Sequence, residues 1–253
     1  MKRISGYVLL GLTAFLLFLL LQAPATLLTD RIGTRLANFS VQGTEGSVIE
    51  GAMQGVRWRG VRIERIAWRW LPLALFVGWL EFSLKTSDPE IQLTGHAATG
   101  LNQLTRLRDL TGRLPLSRLG SLVGAVNLPF DGITELDLHE LDLNAAGRPL
   151  AALGTVRMLN LRVNLGQPLN LGDYEIRFDS QDAKEIQGKI KDNNAPLAVE
   201  GTLNLSPDGR YRLAGHAALR DPGNRALQQA MSLLGPPGGD GRWPLNFSGI
   251  LAP

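Results

Sequence analysis

The stretch VRWRGVRIERIAWRW, residues 56–70, decides the fold class because its apolar and charged residues alternate. Val56 and Trp58 are separated by an arginine, and after slips in phase the same alternation returns at Trp68 and Trp70. A period of two residues is typical of strands with one buried face. The stretch therefore predicts β-structure with one apolar face and one arginine-rich face.

The same period recurs along the rest of the chain. It appears at Leu136 and Leu138, Leu141 and Leu143, Leu159 to Leu165, Tyr174 to Phe178, and Leu197 to Leu205. Strand follows strand, which favours an antiparallel sheet over alternating strands and helices. The slips in phase between Leu138 and Leu141 and near Met158 predict β-bulges, and SPDGR at 206–210 predicts a hairpin turn.

Two segments have the apolar spacing of amphipathic helices. LNQLTRLRDL at 101–110 carries a leucine every third residue, and NRALQQAMSLLG at 224–235 places Leu227 and Met231 on one face before Gly235. Each follows a strand that contains Gly-His-Ala-Ala. An internal duplication, with repeats 41–149 and 150–253, and a chance match are both open interpretations.

The run LPLALFVGWL, residues 71–80, is apolar on nearly all sides. It is shorter than the roughly 20 residues that a membrane-spanning helix needs. Pro72 suits the first turn of a short helix between two strands. The favoured interpretation is a buried plug, with Leu75 and Phe76 against the inner face of the sheet; a helix on the bilayer surface is the alternative.

The N-terminus contains the one run long enough to cross a membrane. No charge occurs from Ile4 to Thr29. The sequence predicts a cytoplasmic tip at 1–5, a transmembrane anchor at 6–28 and a periplasmic β domain at 40–253. A cleaved signal peptide, cut near Ala23-Pro24-Ala25, is the rival interpretation.

Composition and motifs argue against an enzyme. The 253 residues include no cysteine, which excludes thiol catalysis and thiolate metal sites. The three histidines, His96, His139 and His216, belong to no zinc motif, and no serine elbow or phosphate loop occurs. We expect no catalytic, cofactor or metal site.

Two clusters of charge have simple structural explanations. Glu135, Asp137, His139 and Asp142 fall on polar positions of a strand, as a solvated face requires. The arginines of 57–69 interleave with tryptophans, which fits a buried indole row under a solvated face or a surface against lipid headgroups. Nucleic acid is not an expected partner of an exported domain with a net charge of only +3.

The order of several stretches resembles protein N of the bacterial type II secretion system. The resemblance rests on the N-terminal run, VQGTEGSVIEGAMQGV at 41–56, IAWRWLPLALFVGWLEF at 66–82, and the ending, which includes VEGTLNLSPDGRYRLAGHAAL at 199–219, ALQQAMSLLG at 226–235 and GRWPLNFSGIL at 241–251. It spans nearly the whole chain, and its motifs are turns, glycines and aromatics.

The resemblance implies an inner-membrane, mostly periplasmic component of an envelope-spanning export machine, with no catalytic residues to carry over. With the strand pattern, it predicts a single-pass protein with a curved, half-barrel-like antiparallel sheet and a few short helices. Long strands offer edges for strand addition, so we expect a non-catalytic scaffold in the export of folded proteins. Its expected partners are other secretion components, either the inner-membrane platform or the secretin, together with inner-membrane lipid. The alternation of strands with a short apolar helix is also similar to AsmA-like envelope proteins, whose grooves handle lipid, and this is the alternative function.

Overall fold

The computed structural model describes residues 22–35, 38–100, 104–122, 130–164, 168–180, 185–233 and 235–250, with Gly11 and Phe15. Three α-helices and one 3-10 helix are described: α1 (Thr26–Arg35), the 3-10 helix (Pro72–Val77), α2 (Leu116–Leu122) and α3 (Arg225–Ser232). The strands are β1 (Gly43–Gly46), β2 (Glu50–Trp58), β3 (Val61–Leu71), β4 (Trp79–Thr86), β5 (Gln92–Gly100), β6 (Thr105–Pro115), β7 (Phe130–Leu143), β8 (Pro149–Asn164), β9 (Pro168–Ser180), β10 (Ile186–Asp192), β11 (Leu197–Leu205), β12 (Arg210–Leu219) and β13 (Trp243–Ile250).

All thirteen strands form one antiparallel sheet in chain order, β1 to β13. Each strand pairs with its neighbour in sequence, so every connection joins adjacent strands. The sheet is not closed, and β1 and β13 are its two edges. The prediction of a mainly β, antiparallel fold with few helices is confirmed.

Cross-strand pairing aligns the apolar residues into continuous rows on one face, which we call the inner face. One row runs across nine strands: Leu93, Gly112, Leu136, Val156, Ile176, Ile190, Gly201, Gly215 and Leu245. Its neighbour runs across eight: Leu110, Leu138, Gly154, Phe178, Gly188, Leu203, Leu213 and Phe247. The period of two in each strand thus becomes one apolar surface.

The bulges and the turn that the sequence predicts are present. The register between β7 and β8 shifts between Leu138 and Glu140. The register between β8 and β9 shifts after Met158, where Asn160 has a φ of 51°. In the 206–210 turn, Ser206 and Arg210 share a backbone hydrogen bond of 2.9 Å.

The sheet curls around α2 at one end, which we call the helix end because α2 and α3 lie there. Leu119 of α2 packs against the buried cluster of Val61, Ile91 and Leu114. The same side chain packs against the cluster that contains Leu161 and Tyr174, five or more strands away from Val61. One short helix therefore fills the space between distant parts of the sheet.

Helix α3 confirms the second predicted helix. Asn224 caps its start, because the Asn224 side chain accepts a hydrogen bond from the Leu227 N–H at 3.2 Å. Leu227 and Met231 are its buried residues. Met231 packs with Ala217 and Trp243, so the helix covers the helix end of β12 and β13.

The first predicted helix is wrong over its described part. Residues 105–110 belong to β6, and residues 101–103 lie outside the described residues. The leucine spacing of three arises from a bulge, since the register with β5 shifts between Thr94 and His96. Asp109, opposite that shift, has a φ of 49°. The first Gly-His-Ala-Ala strand is thus followed by a strand and the second by a helix; the duplication itself stays a prediction.

The predicted helix in residues 71–80 exists, but its burial is wrong. Pro72–Val77 forms one 3-10 helix between β3 and β4, with Pro72 in its first turn. Phe76 is 88% exposed and Leu75 is 50% exposed, and only Ala74 of the helix is buried. The helix lies at the end of the β3–β4 hairpin, beyond the last cross-strand pair, Leu71 with Glu81. It therefore does not pack against the inner face of the sheet.

The N-terminal part of the described chain is tied to the sheet from residue 23. The Val48 N–H donates to the Ala23 carbonyl at 2.9 Å, and Ala25 is 2% exposed. The expected membrane span at 6–28 lies mostly outside the described residues. Within the described part, no helix has the length and apolarity to cross a membrane.

Candidate interaction surfaces

The inner face is covered unevenly. Helix α1 packs Leu28 and Ile32 onto the cluster of Met53, Val56 and Trp68, and α2 fills the helix end. Toward the opposite end, which we call the tip end because it carries the 3-10 helix, several inner side chains are only half-buried. They include Trp70, Phe82, Phe178, Leu203 and Leu213. The tip end therefore leaves apolar surface partly open to solvent.

The free edge of β13 is the longest unpaired strand edge among the described residues. It spans eight residues, Trp243–Ile250, and pairs only with β12. Both inner-face rows end on it, at Leu245 and Phe247, and Phe247 is 49% exposed. An exposed edge next to apolar side chains is a template for strand addition.

The position of Pro244 sets which backbone groups of β13 face outward. Proline has no N–H to give to β12, and in sheets it faces the free side of an edge strand. Residues two apart in a strand point their backbone groups to the same side. We infer that the N–H groups of Asn246 and Ser248 point to the free edge.

The opposite edge is poorly suited to pairing. Strand β1 has only four residues, Gly43–Gly46. Before it, Ser40 forms an isolated bridge with Arg57, and after it, Ser47 forms one with Pro24. The short strand is enclosed by the chain at both ends, as natural edges often are.

The outer face carries a row of alternating charge. Successive strands from β6 to β12 align Arg113, Glu135, Arg157, Glu175, Lys191, Glu200 and His216. Arg113 pairs with Glu135, and Arg157 pairs with Glu175 at 3.2 Å. Opposite charges directly across strands favour this register over its one-residue slip. The row explains Glu135 and His216 as members of a solvated face.

The other predicted polar residues lie apart or are paired. Asp142 accepts two hydrogen bonds from the Arg106 guanidinium, at 2.8 and 2.9 Å. His139 and Asp137 are exposed on β7. His96 on β5 lies 3.7 Å from Glu81 and is seven strands away from His216 on β12. Over the described residues, no three His, Asp or Glu side chains come together in a way that could hold a metal ion.

The arginine-rich stretch divides between the two faces as the alternation predicts. Trp68 is 4% exposed, whereas Arg57, Arg62 and Arg69 are exposed. The Trp68 indole N–H donates to the Val48 carbonyl at 3.1 Å. The Arg69 guanidinium pairs with Glu50 at 2.9 Å. The tryptophan thus anchors the turn before β2, and the arginines form a solvated face.

A buried carboxylate organises the helix end below β10, a feature that periodicity alone does not reveal. Asp192 accepts hydrogen bonds from the N–H groups of Ala195 and Val199, at 3.2 Å each, and from the Arg220 guanidinium. Nearby, the Tyr174 hydroxyl lies 2.8 and 2.9 Å from two backbone carbonyls, and burial raises its pKa. These bonds fix the β10–β11 turn.

We expect acid to weaken this turn. Burial acts to raise the pKa of Asp192, but the hydrogen bonds from Arg220 and the two N–H groups outweigh it and lower the pKa. Its stabilisation is therefore complete above the unfolded-state pKa and is lost as pH falls through the lower, folded-state pKa. Asp192→Asn should cost about 1–3 kcal/mol of unfolding free energy at pH 7. Urea unfolding at pH 7 and at about pH 2 checks this, because the loss falls below the unfolded-state pKa of an Asp, about 3.9. The variant should lose less stability on acidification than the wild type. Equal acid sensitivity would contradict it.

The comparisons with known proteins identify one family. The family model for type II secretion system protein N matches residues 37–246. The type II secretion system protein N of Aeromonas hydrophila is 25% identical to this chain, over 95% of this chain and 96% of its own length. The protein of the same name from Vibrio cholerae is 26% identical, over 99% of this chain and 100% of its own length. The one from Klebsiella pneumoniae is 29% identical, over 93% of this chain and 91% of its own length. No solved structure gives a significant match.

The chain belongs to the type II secretion system protein N family. It is thus a component of a protein-transport system of the bacterial envelope. The resemblance stated from the sequence is confirmed, and the AsmA-like alternative is not favoured.

Proposed function

We propose that this protein is a non-catalytic, membrane-anchored interaction component of the type II secretion system. In this role it binds another secretion component by adding that component's strand to β13. The observation that carries the proposal is the eight-residue free edge, at which both apolar rows end. Main-chain hydrogen bonds would give such a complex its affinity, and Leu245 and Phe247 would select alternating apolar residues in the incoming strand.

The anchor lies in the uncharged N-terminal run, before Ala23, where the chain joins the sheet. Retention is favoured over cleavage because Ala25 is 2% exposed and Ala23 is hydrogen-bonded to Val48. A cut after Ala25 would remove both residues, and with them contacts that the fold uses. The start Met1-Lys2-Arg3 favours a cytoplasmic N-terminus and a periplasmic sheet.

This topology predicts two results. A reporter that is active only in the periplasm should work when it is fused after Pro253, and the full chain should stay in the inner-membrane fraction after an alkaline wash. Immunoblotting of the fractions and reporter activity measure both. A soluble product that starts near Thr26 would show a cleaved signal instead.

A binding role predicts that the histidines are dispensable. Replacing His96, His139 and His216 together with glutamine should leave secretion at the wild-type level, because they lie apart and belong to strand surfaces. Secreted protein in the culture medium is the readout, with the variant's abundance as the control. Loss of secretion at normal abundance would indicate a catalytic or metal role.

The function itself is tested by deletion. A strain without this protein should hold folded cargo in the periplasm, and the full chain supplied from a plasmid should restore cargo to the medium. Secretion that continues unchanged in the deletion strain would refute a required role in this system.

A further inference from the structure

The 3-10 helix forms an exposed apolar knob, which we call the tip. Its members are Leu73, Leu75, Phe76 and Val77, which are 77%, 50%, 88% and 74% exposed. No charged residue occurs from Leu71 to Leu80. A contiguous group of exposed apolar side chains often marks a site that contacts a membrane or another protein.

The tip is held out from the sheet by its base. Leu71 is extended, with φ −111° and ψ 92°, and Gly78 is left-handed, with φ 80°. The Gly78 N–H donates back to the Ala74 and Leu75 carbonyls, which closes the turn. A Cβ at Gly78 would meet nothing within 4 Å. The tip therefore projects into open space on a fixed hairpin.

Tryptophans flank the tip at its base. Trp70 and Trp79 are both half-buried, and the Arg106 guanidinium lies 4.7 Å from the Trp79 ring centroid. Indole rings beside an apolar segment are typical of the boundary between lipid tails and headgroups.

The continuous described chain begins beside the tip. Ala23 bonds to Val48, and the next residue, Ile49, accepts from the Trp70 N–H at 2.6 Å, two residues before Pro72. Helix α1 begins at Thr26, and the chain then reaches Ser40, which bridges to Arg57 toward the helix end. The continuous described chain thus begins, at residue 22, at the tip end of the sheet.

We propose that the tip inserts into the bilayer that holds the N-terminal anchor, as a second membrane contact of the same domain. This inference rests on the anchor of the proposed function. The occupant is lipid because Ala23, which directly follows the proposed anchor in the chain, is held beside the tip. A strand partner would need an edge, whereas the tip is a projecting knob. Two contacts would fix the orientation of the sheet and hold β13 at a set height above the membrane.

The tip's lack of charge determines how its membrane contact should depend on lipid charge and on salt. Insertion draws on apolar area alone, so neutral phosphatidylcholine should suffice and added salt should have little effect. Binding by a basic patch would instead require anionic lipid and would weaken when salt is added.

The chain has no cysteine, so one introduced cysteine reports on one place. The full-length variant Phe76→Cys, labelled with an environment-sensitive dye, would be reconstituted in phosphatidylcholine vesicles. A nitroxide quencher would be attached to the upper acyl chain, since such helices lie roughly 5–10 Å into this boundary. Asp221→Cys, exposed at the helix end, is the matched control. Thermal unfolding of both variants verifies that each keeps the fold.

We expect the dye at residue 76 to show blue-shifted emission that the nitroxide quenches strongly. The emission of the dye at residue 221 should not be quenched. Vesicle-bound protein with equal, weak quenching at both positions would overturn the tip contact and leave the anchor standing. Protein that does not bind to the vesicles would overturn the anchor and the tip contact together. A dye at residue 76 that shifts only after another secretion component is added would show a protein partner and reject lipid.

Discussion

Replacing Asn246 and Ser248 together with proline should abolish secretion while the sheet stays folded. Each substitution removes an N–H that points to the free edge and adds a ring that obstructs an approaching strand. The hydrogen bonds between β12 and β13 are unaffected, because the neighbouring residues of β13 make them. Two lost bonds correspond to a fall in partner affinity of about 10- to 100-fold.

The matched control is the pair Asn246→Ala and Ser248→Ala, which shortens the same side chains and keeps both N–H groups. Secretion from a strain without the chromosomal copy should survive with the alanine pair and fail with the proline pair, at equal abundance and equal melting temperature. Normal secretion with the proline pair would exclude strand addition at this edge.

Trp68→Ala should cause the largest loss of stability, about 3–5 kcal/mol. The side chain is 4% exposed and packs in the cluster that joins α1 to β2 and β3. Its ring covers Gly51, where a Cβ would lie 2.6 Å from a ring carbon. The substitution leaves a cavity and removes the N–H that the Val48 carbonyl accepts.

Phe76→Ala is the matched control for this prediction, because it removes an aromatic ring that is 88% exposed. We expect its unfolding free energy to change by less than about 0.5 kcal/mol. Urea unfolding in detergent, followed by tryptophan fluorescence, compares the two variants at equal protein concentration. A Trp68→Ala protein as stable as Phe76→Ala would contradict the role assigned to this core.

The sequence predicts those features of the fold that depend on local chemistry. A period of two residues is enough to identify strands such as 197–205, and a slip in that period is enough to locate the bulge near Leu138. The 206–210 turn needs only its Pro, Asp and Gly. The helix at 225–232 is found because an apolar face and a glycine stop coincide.

The two wrong predictions, the helix at 101–110 and the burial of the tip, have physical causes that cannot be read from the sequence. The bulge at Asp109 imitates helical spacing, because one extra residue between Leu107 and Leu110 gives an interval of three. The apolarity of the tip predicts burial, but burial depends on whether other elements reach the end of the hairpin. For residues 72–77 the described elements do not cover it.

Features that depend on cross-strand register could not be predicted from one sequence. The charge row from Arg113 to His216 spans seven strands, and its members become neighbours only through pairing. The free edge of β13 is defined in the same way, since a strand is an edge only when its neighbours are known. The candidate interaction surface at β13 therefore could not be identified from motifs, because motifs consist of residues close together in the chain.

The most direct test of strand addition is crosslinking from the edge in living cells. A photoreactive amino acid at residue 246 should capture one secretion component, and the same amino acid at Lys191, exposed in the middle of the sheet on β10, should capture none. Both variants must first restore secretion to the deletion strain. An adduct with a secretion component from residue 246 alone is the predicted result. No adduct from residue 246 in cells that secrete normally, or the same adducts from both positions, would contradict the account.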